Sequence, residues 1–247
     1  MNLPVLQSPV LFVADSHLPL IVRTGQEHWR SRMIRFLRQV APQFSSLVIL
    51  GDLFDFWFEW RYVIPSPAFP VLSALYDLHR LGIDIVYIAG NHDGHIGKFL
   101  TEEIGVKISR RPMDVIIEGL KVHLIHGDGI APSDSAYRIL RGIVRAPITE
   151  SLFRLVHPDL GIWLAHKLSR FSRQTMGKKK PNSDQYYREY AFKRLESGDQ
   201  WVVMGHRHQA ELIHHYRGGF LAIGDWIRSG SYGLFREGRA ELAFYTS

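Results

Sequence analysis

The fold of this chain depends on the segment VLFVADSH at residues 10–17, in which five apolar residues lead directly into Asp15 and His17. A short apolar, β-branched run with such a boundary is typical of a buried strand. Four later segments repeat the pattern and place acids, an amide or histidines after an apolar run. They are LVILGDLFD (47–55), IVYIAGNHD (85–93), VHLIHGD (122–128) and WVVMGHRH (201–208). The repetition predicts five strands whose ends bring polar side chains to one edge of the structure.

The composition excludes several classes of protein. The chain has 247 residues, of which 46% are apolar, and this fraction is ordinary for a folded globular protein. It contains no cysteine, which excludes disulfides, thiolate zinc sites and cysteine nucleophiles. The N-terminus shows neither a basic segment nor a small-residue cleavage site, and the longest uncharged stretch, 62–76, is shorter than the roughly 20 residues that cross a bilayer. We therefore expect a soluble cytoplasmic protein without a transmembrane segment.

Positive charge is concentrated in one part of the chain. Residues 135–195 contain thirteen Lys and Arg against four Asp and Glu, although the whole chain has a net charge of only +6. Such a basic segment favours a partner that carries phosphate, such as a nucleic acid, an anionic membrane surface or a phosphorylated substrate. The alternative is a set of solvated helix faces without a partner.

The periodicity of apolar residues predicts βα units up to residue 126, then a mainly helical segment, then strands. A hairpin is predicted around residues 118–121, which two apolar runs flank. The predicted helices are 26–40, 68–80, 134–144, 149–170 with Pro158 as a potential break, and 183–195, and the predicted final strands are 211–216, 220–223, 231–235 and 241–245.

This order of elements predicts an α/β protein, a mixed two-sheet sandwich with a helical lid inserted before its last ligand strand. Residues 1–132 and 197–247 form the predicted catalytic core, and residues 133–196 form the lid. Because polar residues from both sides of the insertion have to meet in space, we expect the lid to lie over or beside the site.

The residues after the five strands are of the types that a pair of divalent cations requires. Each ion needs several oxygen or nitrogen ligands, and a shared anionic oxygen offsets the repulsion between the ions. Asp15 and His17, two residues apart, can bind one ion, and Asp52 is the natural bridging carboxylate. The other candidate ligands are Asn91, His126, His206 and His208. Water held between two such ions has its pKa lowered toward neutrality.

The order of these motifs resembles the signature of the calcineurin-like metallophosphoesterase superfamily. The motifs are Asp-x-His, Gly-Asp-x-x-Asp, Gly-Asn-His-Asp, His-Gly-Asp and Gly-His-x-His, and they span residues 15–208 without a lost ligand. The resemblance implies an αββα metallophosphoesterase sandwich with an inserted helical lid. It also implies two divalent cations, with Mn²⁺ favoured and Fe or Zn as alternatives.

The same resemblance implies roles for individual residues. One ion would be held by Asp15, His17, Asp52 and His208, and the other by Asp52, Asn91, His126 and His206. His92 would protonate the leaving group or stabilise the transition state. Asp55 would support His92, since a carboxylate on the far ring nitrogen fixes the tautomer. His92 and Asp55 are therefore the predicted catalytic residues.

Within the superfamily, the chain resembles the UDP-2,3-diacylglucosamine hydrolases of lipid A synthesis. The likeness lies in FVADSHL (12–18), GDLFDFW (51–57), HGD (126–128) followed by SDSAYR (133–138), and IGDW (223–226). One departure is His92, where many of those enzymes carry Arg. The resemblance implies a lid that holds acyl chains and substrate contacts from Asn91, His92, Tyr137, Arg170 and Lys178.

Three functions follow from these observations. The first is hydrolysis of the pyrophosphate bond of UDP-2,3-diacylglucosamine to UMP and a lipid monophosphate. That enzyme would lie at the inner membrane, its basic lid on the anionic cytoplasmic surface. The second is the same chemistry on another phosphoester, such as a nucleotide, nucleic acid or phosphoprotein, of which nucleic acid is disfavoured. The third, a non-enzymatic scaffold, ranks last because no candidate ligand is missing.

Overall fold

Two six-stranded sheets carry the five ligand segments. The structure, a computed structural model, describes residues 3–21, 27–93, 95–131, 142, 146–176 and 183–246, without the side chains of 168–176 and 183. The strands in chain order are β1 (Val5–Leu6), β2 (Val10–Val13), β3 (Ser46–Ile49), β4 (Asp84–Ile88), β5 (Lys107–Ser109), β6 (Met113–Ile117), β7 (Leu120–Ile125), β8 (Trp201–Met204), β9 (Glu211–His215), β10 (Gly218–Ala222), β11 (Ser231–Arg236) and β12 (Arg239–Phe244).

The first sheet has the strand order β12-β11-β2-β3-β4-β5, and the second has the order β1-β6-β7-β8-β10-β9. Strands β2, β3 and β4 run parallel in the first sheet, and β7 and β8 run parallel in the second. All five predicted apolar runs therefore form strands, and three of these strands, β2, β3 and β8, are buried along their whole length. The predicted hairpin is also confirmed, as an antiparallel pair of β6 and β7.

The α-helices in the described ranges lie on the outer faces of the two sheets or on the loop that leaves β3. They are α1 (Glu27–Gln39), α2 (Phe69–Arg80), α3 (Pro147–Phe153), α4 (Pro158–Met176) and α5 (Ser183–Glu196). The predicted break at Pro158 is confirmed, because α3 and α4 are separate helices. The predicted helix 134–144 lies outside the described residues except for Gly142. No helix in the described ranges is long and apolar enough to span a bilayer.

Three apolar clusters hold the layers together. One lies between the sheets and includes Phe12, Val48 and Leu124. A second joins α1 and α2 to the outer face of the first sheet, and the third joins α5 to the outer face of the second. The predicted two-sheet α/β class is confirmed by these layers and their order.

Helix α5 belongs to the predicted lid range, but it packs as an outer layer of the sandwich. Its Tyr187, Ala191 and Leu195 are buried against Val202 and Phe220 of the second sheet. Apolar burial of this kind stabilises by about 25 cal/mol for each Å² removed from water. The division of the chain into core and lid remains a prediction.

Helices α3 and α4, which fall within the predicted lid, rest on an aromatic cluster that follows Asp55 in the chain. Phe153 of α3 packs against Phe58 and Trp60, with ring centroids 4.8 and 6.0 Å apart. The Trp60 indole Nε1 donates a hydrogen bond of 2.9 Å to the Val156 carbonyl, just before α4. These contacts join α3 and the start of α4 to the loop that leaves β3.

Gly161 allows α4 to approach this cluster closely. A Cβ at this position would lie 2.8 Å from Trp60 Cζ2 and 3.2 Å from Phe153 Cζ. Overpacking of a core typically costs about 1–3 kcal/mol, whereas alanine gains up to about 1 kcal/mol over glycine in a helix. We expect Gly161→Ala to lower the free energy of unfolding by about 1–2 kcal/mol, measured by urea denaturation.

The matched control is Gly142→Ala, because a Cβ at Gly142 would meet no atom of the described residues within 4 Å. It should leave the unfolding free energy unchanged or raise it slightly. Equal stability of the two variants would contradict the close packing of α4 on Trp60.

Candidate metal centre

The candidate ligands follow the carboxyl ends of parallel strands. Val13 of β2 pairs with Ile49 of β3, which in turn pairs with Tyr87 of β4. In the second sheet, Ile125 of β7 is level with Met204 of β8. Because the strands end at matching registers, the residues that follow them emerge at the same edge of the sandwich.

The backbone of the ligand segments is unusual at five positions. Five of the seven non-glycine residues with positive φ among the described residues are candidate ligands: Asp15 (49°), His17 (40°), Asp52 (54°), His206 (63°) and His208 (53°). Residues with a Cβ avoid this left-handed region, and such strain clusters at functional sites. These residues form tight turns, so that ligands two residues apart in one segment, such as Asp15 and His17, can both face the metal centre.

One group of side chains surrounds the carboxylate of Asp15. His17 Nε2 and His208 Nε2 each lie 3.9 Å from Asp15 Oδ1, and their rings stack with centroids 5.1 Å apart. His17 Nε2 is also 3.8 Å from Asp52 Oδ2. Separations of this size between potential ligand atoms are compatible with one ion among them, since metal–ligand distances are about 2 Å.

A second group shares Asp52. His126 Nε2 lies 3.5 Å from Asp52 Oδ2 and 3.0 Å from Asn91 Oδ1. Ligand atoms of Asp52, His126 and His206 lie within 4.8 Å of one another. The seven predicted ligands therefore converge into two groups, and Asp52 is common to both.

The electrostatics of this edge suit a cation. Asp15 Oδ1 is buried and accepts no hydrogen bond from any residue that the structure describes, although its other oxygen accepts one of 2.6 Å from the His206 amide. Burial raises the pKa of Asp15 well above its usual range, and the negative charge of Asp52 adds to this. A buried carboxylate oxygen without a donor is unfavourable unless a positive charge compensates it. The donor set therefore fits divalent ions.

Asp52 itself stays ionised. Burial would raise its pKa, but the positive charges of His126, His92 and His17 outweigh burial and hold it well below the usual range. An ionised, fully buried carboxylate with histidines on several sides is suited to bridging two cations.

His126 has a defined orientation. Its Nδ1 donates a hydrogen bond of 2.7 Å to the Leu50 carbonyl, which leaves Nε2 facing Asp52 and Asn91. Burial opposes protonation of this ring, but the charges of Asp52 and Asp15 raise its pKa to about 9. In contrast, burial and the charge of His126 lower the pKa of His206 to about 3. The hydrogen bond at Nδ1 leaves Nε2 of His126 as the atom available to a metal ion.

His92 lies at the rim of the centre with its Nε2 3.9 Å from Asp52 Oδ2. The prediction that the Asp55 carboxylate orients this ring needs correction. His92 Nδ1 lies 2.6 Å from the main-chain carbonyl of Asp55, while the Asp55 carboxylate Oδ1 lies 3.8 Å from His17 Nδ1. The loop after β3 bends so that its carbonyl, which is always an acceptor, faces His92. The ring therefore carries its proton on Nδ1 when neutral.

Other residues support the centre without being predicted ligands. Asp93 is buried, and its Oδ2 accepts hydrogen bonds from the amides of Asp52 and Gly90. Burial and the charge of Asp52 raise the pKa of Asp93 to about 7. Asp225 Oδ1 accepts a 2.7 Å hydrogen bond from the Arg228 amide. Both acids act as acceptors for loop amides, as the turn chemistry of aspartate suggests.

Two glycines make room for the ligands. A Cβ at Gly90 would collide with Asp52 Oδ1, and a Cβ at Gly51 would lie 2.5 Å from His126 Nδ1. Sequence patterns alone do not predict this packing role for either glycine. Their position directly before Asp52 and Asn91 is the only signal that points to it.

The predicted substrate contacts are described only in part. Asn91 and His92 lie at the centre, both partly exposed. Tyr137 and Lys178 lie outside the described residues. Arg170 lies in α4, but its side chain is not described.

Comparisons with known proteins agree with this geometry. Residues 8–210, which include all seven candidate ligands, match the family model of the calcineurin-like phosphoesterases. A UDP-2,3-diacylglucosamine hydrolase of Porphyromonas gingivalis is 26% identical, over 93% of this chain and 95% of its own length. One of Pectobacterium carotovorum is 30% identical, over 90% of this chain and 92% of its own.

Among solved structures, an archaeal phosphodiesterase is similar over 96% of this chain and 99% of its own, at 12% identity and a TM-score of 0.47. The family match and the hydrolase relatives confirm the predicted metal-dependent hydrolase. The chain belongs to the calcineurin-like phosphoesterase family.

Proposed function

We propose that this protein hydrolyses the pyrophosphate bond of UDP-2,3-diacylglucosamine to UMP and 2,3-diacylglucosamine 1-phosphate. The observation that carries the chemistry is the convergence of seven candidate ligands into two groups that share the buried, ionised carboxylate of Asp52. The substrate class is supported by relatives named UDP-2,3-diacylglucosamine hydrolase, which match about nine-tenths of the chain.

Two divalent cations are assigned to the centre, with Mn²⁺ favoured and Fe or Zn as alternatives. Asp15, His17, Asp52 and His208 would hold the first, and Asp52, Asn91, His126 and His206 the second. When bound, such a pair supplies an activated water and neutralises charge that develops on the phosphoryl group. Oxygen and imidazole donors without sulfur suit all three metals.

His92 is proposed to act at the leaving group. Its Nδ1 is occupied by the Asp55 carbonyl, so a second proton has to be carried by Nε2, which faces the centre. A proton on this atom can pass to the departing oxygen or stabilise charge on the phosphoryl group. Asp55 is proposed to assist by orienting both His92 and His17.

The lid is proposed to hold the acylated part of the substrate, with Asn91, His92, Tyr137, Arg170 and Lys178 as contacts. Its described surface is unusually apolar, with Leu152, Leu155 and Trp163 exposed at 60%, 84% and 48%. Lys167 lies over the Trp163 ring at 4.0 Å. Apolar side chains beside a basic segment suit the anionic cytoplasmic surface of the inner membrane.

We therefore expect the protein to bind anionic vesicles more strongly than neutral vesicles, as measured by sedimentation. Equal binding to both kinds of vesicle would contradict the proposed membrane contact.

The substrate is tested by a direct comparison. With Mn²⁺, kcat/KM should be highest for UDP-2,3-diacylglucosamine, lower for the unacylated UDP-glucosamine, and lowest for a chromogenic phosphodiester. Binding of the acyl chains to the lid is the physical reason, because each buried methylene contributes about 0.8 kcal/mol. Equal kcat/KM for all three would favour the alternative, a phosphoesterase acting on a nucleotide, nucleic acid or phosphoprotein.

Asp52→Asn tests the bridging carboxylate. The amide keeps the shape but removes the negative charge shared by the two ions, so the variant should bind less than one Mn²⁺ at concentrations that load two on the wild type. Metal content after gel filtration gives the measurement. Asp84→Asn is the control, since Asp84 lies in the same sheet and pairs with Lys107. Loading of two ions by Asp52→Asn would overturn the bridging role.

His92→Gln tests the general acid. The variant should bind metal as the wild type does, but kcat should fall by about 10²–10⁴, the usual contribution of such a group. Steady-state kinetics together with metal content separate the two effects. An unchanged kcat would reduce His92 to a structural residue of the loop.

A further inference from the structure

Arg207 lies between two proposed metal ligands, His206 and His208, yet its side chain points to a different part of the molecule. The side chain of this arginine has no solvent-exposed surface. The histidines contribute to the ligand groups around Asp15 and Asp52, whereas Arg207 extends toward α5 and β9. A fully buried arginine next to cation ligands is unfavourable unless acidic groups neutralise it.

Two acids neutralise Arg207 in its pocket. Its Nη1 lies 2.6 Å from Glu211 Oε2, and its Nη2 lies 3.4 Å from Asp184 Oδ1. The guanidinium also lies over the rings of Tyr187 and Phe220, at 5.8 and 5.6 Å. The guanidinium is thus enclosed by Glu211 of β9, Phe220 of β10, and Asp184 and Tyr187 of α5. The contacts hold the middle residue of the ligand turn against the second sheet.

The turn itself needs such an anchor. His206 and His208 both have left-handed backbone conformations, with φ of 63° and 53°. The amide of Arg207 donates a hydrogen bond of 2.7 Å to the Gly205 carbonyl, which closes a very tight turn. Residues with a Cβ adopt such conformations only where the surroundings impose them. Arg207 is the residue of this turn whose side chain is fixed by ion pairs outside the centre.

We propose that Arg207 is a positioning residue, which presents His206 and His208 to both cations by anchoring their turn to Glu211 and to Asp184 of α5. The inference rests on the metal ligands assigned under the proposed function. It connects α5, whose Tyr187 ring lies 6.3 Å from the His206 ring, to the geometry of the centre.

Arg207→Met in the full-length chain tests the proposal, with Mn²⁺ alone as the probe. Loss of residues that orient metal ligands typically weakens metal binding 10–100-fold, and we expect a change of this size by isothermal titration calorimetry. The matched control is Arg188→Met. Arg188 binds the same Glu211, with Nε 3.2 Å from Oε2, but it is 45% exposed and lies outside the ligand turn. This control should bind Mn²⁺ within about twofold of the wild type.

Thermal unfolding separates positioning from a merely structural role. Metal that binds only the folded state raises Tm by an amount set by its affinity. A purely structural residue would lower Tm equally with and without Mn²⁺, whereas loss of Arg207 should also reduce the rise in Tm that Mn²⁺ produces. Arg207→Lys keeps one charge and should recover part of this rise.

Glu211→Gln provides a second route if Arg207→Met does not fold, and it should weaken Mn²⁺ binding in the same way. Wild-type affinity in either folded variant would overturn the positioning role. Absence of Mn²⁺ binding by the wild type would overturn the role and the ligand assignment together. Mn²⁺ binding by the wild type without cleavage of UDP-2,3-diacylglucosamine, combined with weakened binding by the variants, would overturn only the proposed substrate.

Discussion

The carboxylates of Asp15 and Asp52 are both buried at the edge where the two sheets end, and every other feature of the centre accommodates them. Moving a charge out of water is costly unless opposite charge lies nearby. Asp52 meets this condition through the histidines around it, which keep its pKa low despite burial. Asp15 meets it only in part, since burial raises its pKa despite the charge of His126, and one of its oxygens accepts no hydrogen bond from the described residues. The polypeptide alone therefore leaves negative potential uncompensated, and divalent ions would supply the compensation.

Convergence of the ligands also imposes a conformational cost. Each non-glycine residue in a disfavoured backbone region costs about 1–3 kcal/mol, and five ligand residues adopt positive φ. Their combined strain is comparable to the whole stability of a typical domain, about 5–15 kcal/mol. Such turns persist only because rigid strands on both sides hold them and because neighbours pack tightly. The close approach of Gly90 to Asp52 and the ion pairs of Arg207 are two examples of that support.

The sequence predicts the parts of the centre that depend on residue type and strand order. Asp15, Asp52 and His126 each follow an apolar run, and parallel strands bring such residues together. The sequence does not predict which atom of Asp55 meets His92, because the path of one loop decides between carbonyl and carboxylate. Nor does it predict the role of Arg207, since an arginine within Gly-His-x-His is equally compatible with an exposed side chain. These features depend on packing between segments far apart in the chain, which no local pattern encodes.

The described part of the predicted lid is attached to the rest of the chain at two places, and both adjoin ligand segments. Phe153 and Val156, around the end of α3, contact Phe58 and Trp60, which follow Asp55 in the chain. At the other end, α5 packs on the second sheet and contributes Asp184 to the pocket of Arg207. A displacement of the lid would therefore strain the loop that orients His92 and the turn that carries His206 and His208. In this arrangement, the elements proposed to bind the acylated substrate also constrain the residues proposed to cleave it, which links substrate recognition mechanically to the chemistry.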